Sequence, residues 1–261
     1  MGKIIALINQ KGGVGKTTSS INLAASLGLL GKKVLLIDLD SQGNCTTGVG
    51  INKGEVEFST YELLTGKVDV KRTIAKTKFK NLYIIPASIN LAGADIELME
   101  EMRANSEFVP QLQLKKYLEE IRDVFDYILI DCPPSLGLIT TNALAASNSV
   151  IIPMQCEYLP LEGIMQLINS IRLAQKKLNS NLQIEGVLLT MLDPRTNLGL
   201  EVVEQIKSYF GDKVYYTIIP RLVRLAEAPS YGKPIHAYDP RSKGTEAYIN
   251  LAKEVIERNG G

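Results

Sequence analysis

The densest chemistry in the sequence lies at Gln10-Lys11-Gly12-Gly13-Val14-Gly15-Lys16-Thr17-Thr18, between a short apolar run and a stretch of helical period. Glycines let a backbone take positive φ and turn successive N–H groups toward phosphate oxygens. A helix starting near Thr17 adds the positive end of its dipole. In such a loop Lys16 reaches the β- and γ-phosphates of a nucleotide, and the Thr17 hydroxyl ligates Mg2+. Two acidic strand ends accompany the loop. One reads Leu35-Leu36-Ile37-Asp38-Leu39-Asp40, the other Tyr127-Ile128-Leu129-Ile130-Asp131-Cys132-Pro133-Pro134. Carboxylates at the C-terminal ends of strands beside a phosphate loop hold Mg2+ or position an attacking water. Four apolar residues followed by Asp131 form a Walker B strand, with Asp131 acting on the metal through water. The Pro133-Pro134 pair stiffens the loop beyond it, which suits a segment that senses a γ-phosphate.

These residues need a scaffold that brings strand ends together. Apolar runs rich in Ile, Val and Leu fall at 3–9, 33–38, 82–86, 127–131, 150–154, 186–191 and 214–218. Being apolar on both faces, they read as central strands of a parallel sheet. Helical patterns lie between and after them at 17–30, 111–124, 138–146, 161–178, 199–210 and 245–258. Residues 41–110 are the least patterned, with a short helix near 60–64 and acidic residues around 97–101. They read as loops and short helices over one edge of the sheet. The alternation predicts an α/β fold, one doubly wound and predominantly parallel sheet with helices on both faces, forming a single domain over 1–261. Ligands of such sheets sit at the carboxyl ends of the strands.

Bulk composition narrows the partners. The formal net charge is +1, so any contact with nucleic acid must rest on a few placed arginines rather than on overall charge. The three cysteines, Cys45, Cys132 and Cys156, show no C-x-x-C spacing and read as reduced, buried thiols of a cytoplasmic protein. No stretch approaches the roughly 20 apolar residues of a membrane span. The lone histidine, His236, has no evident metal partners.

The loop departs from the general phosphate-loop pattern, with Gln10 where the first glycine is expected and Lys11 after it. This K-G-G-V-G-K-T-T form resembles the deviant Walker A motif of the ParA/MinD family. The resemblance to the ParA/Soj branch extends over nearly the whole chain, through segments 142–146, 157–163, 190–196 and 219–230. It implies ATP and Mg2+ as cofactors, held at Lys11, Gly12, Gly13, Val14, Gly15, Lys16, Thr17, Thr18 and Pro220, with the metal at Thr17, Asp38 and Asp131. It further implies that Lys11 reaches across a homodimer interface to the partner's ATP, with Gly12 where the two loops face each other. A second lysine at the outer lip has little to do on its own phosphates, which fits that role. By the same match Lys11, Lys16 and Asp40 are catalytic, Asp40 orienting the hydrolytic water, while Asp38 supports Mg2+ or the loop. Ser41 stands where many relatives have proline.

The family partitions chromosomes or plasmids. An ATP-closed dimer binds double-stranded nucleoid DNA without reading its sequence, and a ParB-type partner stimulates hydrolysis and release. By position Arg195, Arg221 and Arg224 match its DNA-binding arginines; alternatives are a pair with Asp193 for Arg195 and packing beside the nucleotide for Arg221. No internal arginine finger is evident, so unassisted hydrolysis is expected at roughly 10⁻⁴ to 10⁻² per second. The helix-turn-helix domain of larger plasmid relatives is not expected, because the first strand starts at residue 3. Three rivals share the ATP site. A MinD-like membrane switch needs a basic amphipathic C-terminal helix, whereas 254–261 carries acidic residues and no aromatic edge. An iron-protein-like electron carrier needs paired cysteines. A relative positioning another cargo is separated poorly by sequence.

Overall fold

The apolar runs pair because each has no polar face to leave in water. In the computed structural model, which describes residues 2–156, 161–193, 195 and 197–260, they become β1 (Lys3–Leu7), β2 (Val34–Asp38), β4 (Leu82–Ile85), β5 (Tyr127–Asp131), β6 (Ser149–Gln155) and β7 (Gln183–Thr190). A two-residue strand, β3 (Ala75–Lys76), completes one seven-stranded sheet of order β3-β4-β2-β5-β1-β6-β7. All neighbours run parallel except β3 against β4. Its helices are α1 (Lys16–Leu29), α2 (Asn44–Gly48), α3 (Thr60–Leu64), α4 (Val70–Thr73), α5 (Ala94–Ala104), α6 (Gln113–Ile121), α7 (Leu138–Ala146), α8 (Leu161–Lys177), α9 (Asn197–Phe210), α10 (Val223–Glu227), α11 (Ile235–Tyr238) and α12 (Lys243–Arg258). The sheet is mostly parallel and flanked by helices, as the sequence predicts, and six of its seven strands fall on the expected apolar runs.

Strand residues alternate between two cores, one on each face. Ile4, Ala6 and Ile8 join Leu114, Ala143, Ile171 and Val203 on one side; Ile5 and Leu7 join Leu23, Leu27, Leu251 and Val255 on the other. Each fully buried Leu or Ile removes enough apolar surface from water to contribute about 1.5–3 kcal/mol. Helix α12 therefore spends its apolar face on α1: Tyr248, Leu251, Ala252 and Val255 are fully buried there.

Two expectations need correction. Residues 214–218 form no strand; Val214 and Pro220 make only single parallel bridges, to Val187 and Leu192. The reason is a competing acceptor: the N–H groups of Tyr216 and Thr217 donate to the Glu254 carboxylate at 2.8 and 3.0 Å, while the Tyr216 side chain is 91% exposed. The 41–110 stretch holds more order than its pattern announces, including the eleven-residue α5, whose Ala94 and Leu98 are buried against the core. Of the segments carrying the resemblance, residues 157–160 and positions 194 and 196 lie outside the described residues.

The strand order positions the chemistry. β5 lies between β1 and β2, and the register sets Leu7 and Asp38 both opposite Asp131. The loop leaving β1 and the carboxylates ending β2 and β5 thus meet at one end of the sheet.

Candidate functional site

The loop after β1 is anchored at both sides. Asn9 accepts the Lys11 N–H at 3.0 Å and donates its amide to the Pro153 carbonyl at 2.8 Å, tying the loop to β6. Gly13 and Gly15 take φ of 75° and 84°, a region that side chains rarely enter. Gly15 caps α1 without a side chain, which leaves the first-turn N–H groups and the positive end of the helix facing the loop. From β7, the buried Thr190 hydroxyl donates to the Val14 carbonyl at 2.9 Å and fixes the loop's far wall. Lys16 is 7% exposed and its ammonium donates to the Lys11 carbonyl at 3.1 Å. Burial pulls its pKa down, opposed by the charges of Asp131, Cys132 and Asp40. Lys11 and Gly12 are exposed, and a Cβ on Gly12 would meet nothing within 4 Å.

The two strand-end carboxylates have different surroundings. Asp38 has both oxygens engaged: Oδ2 accepts the Thr46 N–H and hydroxyl at 2.8 and 2.7 Å, and Oδ1 accepts the Asp40 N–H at 3.1 Å. Burial pushes it up to about 6, with the Thr46 bonds pulling back. Of the two expected roles, this geometry fits holding the 40–46 turn rather than reaching a metal. Asp131 is fully buried and accepts the Ser20 hydroxyl on Oδ1 at 2.7 Å, while its Oδ2 has no hydrogen-bond partner among the described residues. Burial, with the Asp38 charge adding, pushes it up to about 7, and the Ser20 and Thr17 hydroxyls oppose this. A buried carboxylate oxygen without a donor, beside Thr17 and the loop, is the environment a hydrated Mg2+ would satisfy. The chain therefore fits a magnesium nucleotide. Asp40 is half-buried and accepts the Gln42 N–H at 3.0 Å, at the mouth of the same site.

Beyond Gly15 opens an apolar cavity of about 140 Å³, lined by Thr18, Thr190, Met191, Pro220, Leu222 and Tyr248 among others. It contains Pro220, one of the residues that the resemblance assigns to ATP, and its lining suits a planar ring. Met191 sits at φ 54°, uncommon for a residue with a side chain, so backbone strain lies at this wall. Tyr248 closes the floor through a 3.1 Å bond with Ser19.

Sequence reasoning missed Ser20, Thr46 and Thr190. Ser20 lies one helical turn after Lys16, so its facing the same site was readable from spacing. Thr46 and Thr190 carry no local signal, since their partners are set by the turn after β2 and by the sheet.

The three arginines share exposure but not surroundings. Arg195 grips Asp193 with Nε and Nη2 at 2.9 and 2.8 Å, as its alternative reading had it. Arg221 is exposed and its N–H donates to the Leu192 carbonyl at 3.2 Å, so the Leu192–Pro220 bridge sets it beside that pair, next to the apolar cavity. Arg224, on α10, lies 3.9 Å from Asp239 and 5.7 Å above the Tyr238 ring, its side chain 59% exposed. Among the described residues no helix is long and apolar enough to cross a membrane.

Strand order, a loop ending in Lys16-Thr17 at the head of α1, and aspartates closing β2 and β5 define a P-loop nucleotide hydrolase with the MinD/ParA fold. A family model described as an AAA domain matches residues 2–184. The chain is 60% identical over 255 residues to the sporulation initiation inhibitor protein Soj of Bacillus subtilis, covering 98% of each. It is 51% identical to the chromosome-partitioning ATPase Soj of Treponema pallidum, over 100% of this chain and 99% of that one. A solved structure titled cobyrinic acid a,c-diamide synthase of Mycobacterium smegmatis, with bound ADP and magnesium, superposes with a TM-score of 0.85 at 34% identity, over 98% of this chain and 95% of that one. The chain belongs to the Soj/ParA family of chromosome-partitioning ATPases, and it is an ATPase.

Proposed function

We propose that two copies of this chain close around two molecules of Mg-ATP, that the closed pair holds double-stranded DNA without sequence preference, and that a ParB-type partner speeds hydrolysis to release it. The observation that carries this reading is the lip of the phosphate loop. Lys11 and Gly12 stand exposed there with open space at the Gly12 Cβ position, while the loop's own lysine, Lys16, is the one buried within it. A cation placed outside its own cradle suits a neighbour's phosphates better than its own.

ATP bound at the loop supplies the anhydride whose cleavage resets the switch, and magnesium neutralises its oxygens. The chain's residues would divide the remaining work. Backbone N–H groups from Gly12 to Thr18 bind, Lys16 donates to the phosphates, and Pro220 flanks the base. Thr17 and Asp131 hold the metal's shell, Asp38 braces the turn, and Asp40 accepts a hydrogen bond that orients water. Lys11 adds its charge to the partner's ATP. Arg195, Arg221 and Arg224 supply phosphate contacts, which position a duplex but carry no sequence information. Such a protein would act in the cytoplasm on the nucleoid, as a single domain. A membrane switch is disfavoured because α12 has its apolar face buried against α1.

Retention of a mixed-sequence duplex with ATP, with ADP and without nucleotide tests the reading. Retention is expected with ATP and lost as salt rises. Equal retention in all three states, or none in any, refutes it.

A further inference from the structure

The segment leaving β7 joins the phosphate loop to the rim arginines within a few residues. Thr190 holds the Val14 carbonyl, and Met191 follows in the left-handed region. Leu192 then donates to the Ile219 carbonyl at 3.3 Å and accepts the Arg221 N–H. Asp193 comes next, and its carboxylate accepts three N–H groups of Arg195: the backbone at 3.1 Å and Nε at 2.9 Å on Oδ1, and Nη2 at 2.8 Å on Oδ2. Two parallel bonds from one edge of a guanidinium are the geometry in which arginine takes a phosphate. With Arg221 adding its charge, the pair holds the Asp193 carboxyl down at about 2, so it stays an anion under all working conditions.

We propose that Asp193 is a positioning residue that stands in for a DNA phosphate: without nucleotide it occupies the Arg195 fork, and ATP binding releases that arginine to the duplex. This rests on the DNA-binding reading above. Two effects oppose DNA while the pair is closed. Nε and Nη2 are spent on Asp193, and a fixed negative charge stands where a phosphate must approach. The route from ATP is short. Thr190, Met191 and Pro220 line the cavity assigned to the base, and Leu192, the residue before Asp193, bridges to Pro220. A ring seated there touches the root of the segment at Met191, whose backbone is held in the sparsely populated left-handed region.

The test measures binding of a fluorescent mixed-sequence duplex to nucleotide-free Asp193→Asn, which keeps the side chain's size and loses its charge. Exposed pairs are worth little individually, so the expected gain over the parent is roughly threefold to fivefold. The plot of log affinity against log salt should steepen by about one for the arginine released. With ATP the two proteins should converge. In an Arg195→Ala background the same substitution should gain nothing. Unchanged affinity overturns the proposal, and so does a gain that survives Arg195→Ala, because that gain comes from bulk charge alone. A parent that binds DNA with ATP, beside an Asp193→Asn whose nucleotide-free affinity equals that of the nucleotide-free parent, sinks the latch alone; a parent that never binds DNA sinks the underlying reading as well. Should Asp193→Asn melt early, Asp193→Ser serves the same comparison.

Discussion

Replacing Gly12 by valine separates the monomer's needs from the pair's. A Cβ at Gly12 meets nothing within 4 Å, and Gly12 is not among the glycines with positive φ. The monomer should accept the side chain within about ±0.5 kcal/mol, a change in Tm of no more than about 2 °C for a chain of this length. Nucleotide affinity should stay within about twofold, since the cradle donates through backbone N–H groups. Pairing should respond differently. Two facing valines hold the loops apart, and each Lys11 then loses its charge-assisted contact with the partner's phosphates. Such a contact is worth about 1.5–3 kcal/mol, and twofold symmetry counts it twice. Dimerisation should weaken by about 3–6 kcal/mol, or roughly 10²- to 10⁴-fold. Gly15→Val is the internal contrast: at φ 84° a side chain costs at least about 1–2 kcal/mol before any effect on pairing, so this variant should melt measurably lower. Calorimetry, fluorescent-nucleotide titration and light scattering with a non-hydrolysable ATP analogue read the three quantities. A Gly12→Val protein that doubles its mass with nucleotide at the parent's concentrations would refute the argument from the loop's lip.

Four further outcomes are expected. Lys16→Ala should abolish nucleotide binding, and normal ATP affinity in that variant would remove the loop assignment. Asp40→Ala should bind ATP and persist as a DNA-bound pair with hydrolysis near background, so a monomer with ATP would count against the water-orienting role. Arg224→Glu should still dimerise with ATP but lose DNA retention; retention with the parent's salt sensitivity would overturn its assignment. The last concerns pH. Asp38 and Asp131 are raised by burial to about 6 and about 7, so between roughly pH 4 and pH 7 the folded chain binds more protons than the unfolded one. Their contribution to stability is present at the acidic end of that window and is lost as pH rises through it. The Tm of the nucleotide-free protein should fall from pH 5.5 to 7.5 and the decline should flatten with Mg-ADP; a Tm that climbs over this range without nucleotide would contradict the burial argument.

Much of the site was legible because its parts are short. The glycine spacing, Lys16-Thr17 and the Asp131 strand each lie within a few consecutive residues, and local geometry follows from local sequence. The six helices expected from the pattern were read to within about three residues at every end, whereas the eleven-residue α5 was not among them. The strand at 214–218 failed because its N–H groups had a better acceptor in Glu254, on a helix almost 40 positions away. The two-residue β3 failed because it is too short to show alternation.

The sequence by itself therefore determined the phosphate loop, the strand–helix alternation and the family. Tertiary structure decided which of two similar strand-end aspartates keeps an oxygen without a donor. Asp38 is satisfied by Thr46, eight residues away, and Asp131 is only half satisfied by Ser20, 111 residues away. It also decided that Thr190 braces a loop 176 residues earlier. The reason is that a glycine-rich turn and a helical stripe are set by neighbours in the chain, whereas the satisfaction of a buried polar atom depends on whatever group the fold brings within hydrogen-bonding distance of it.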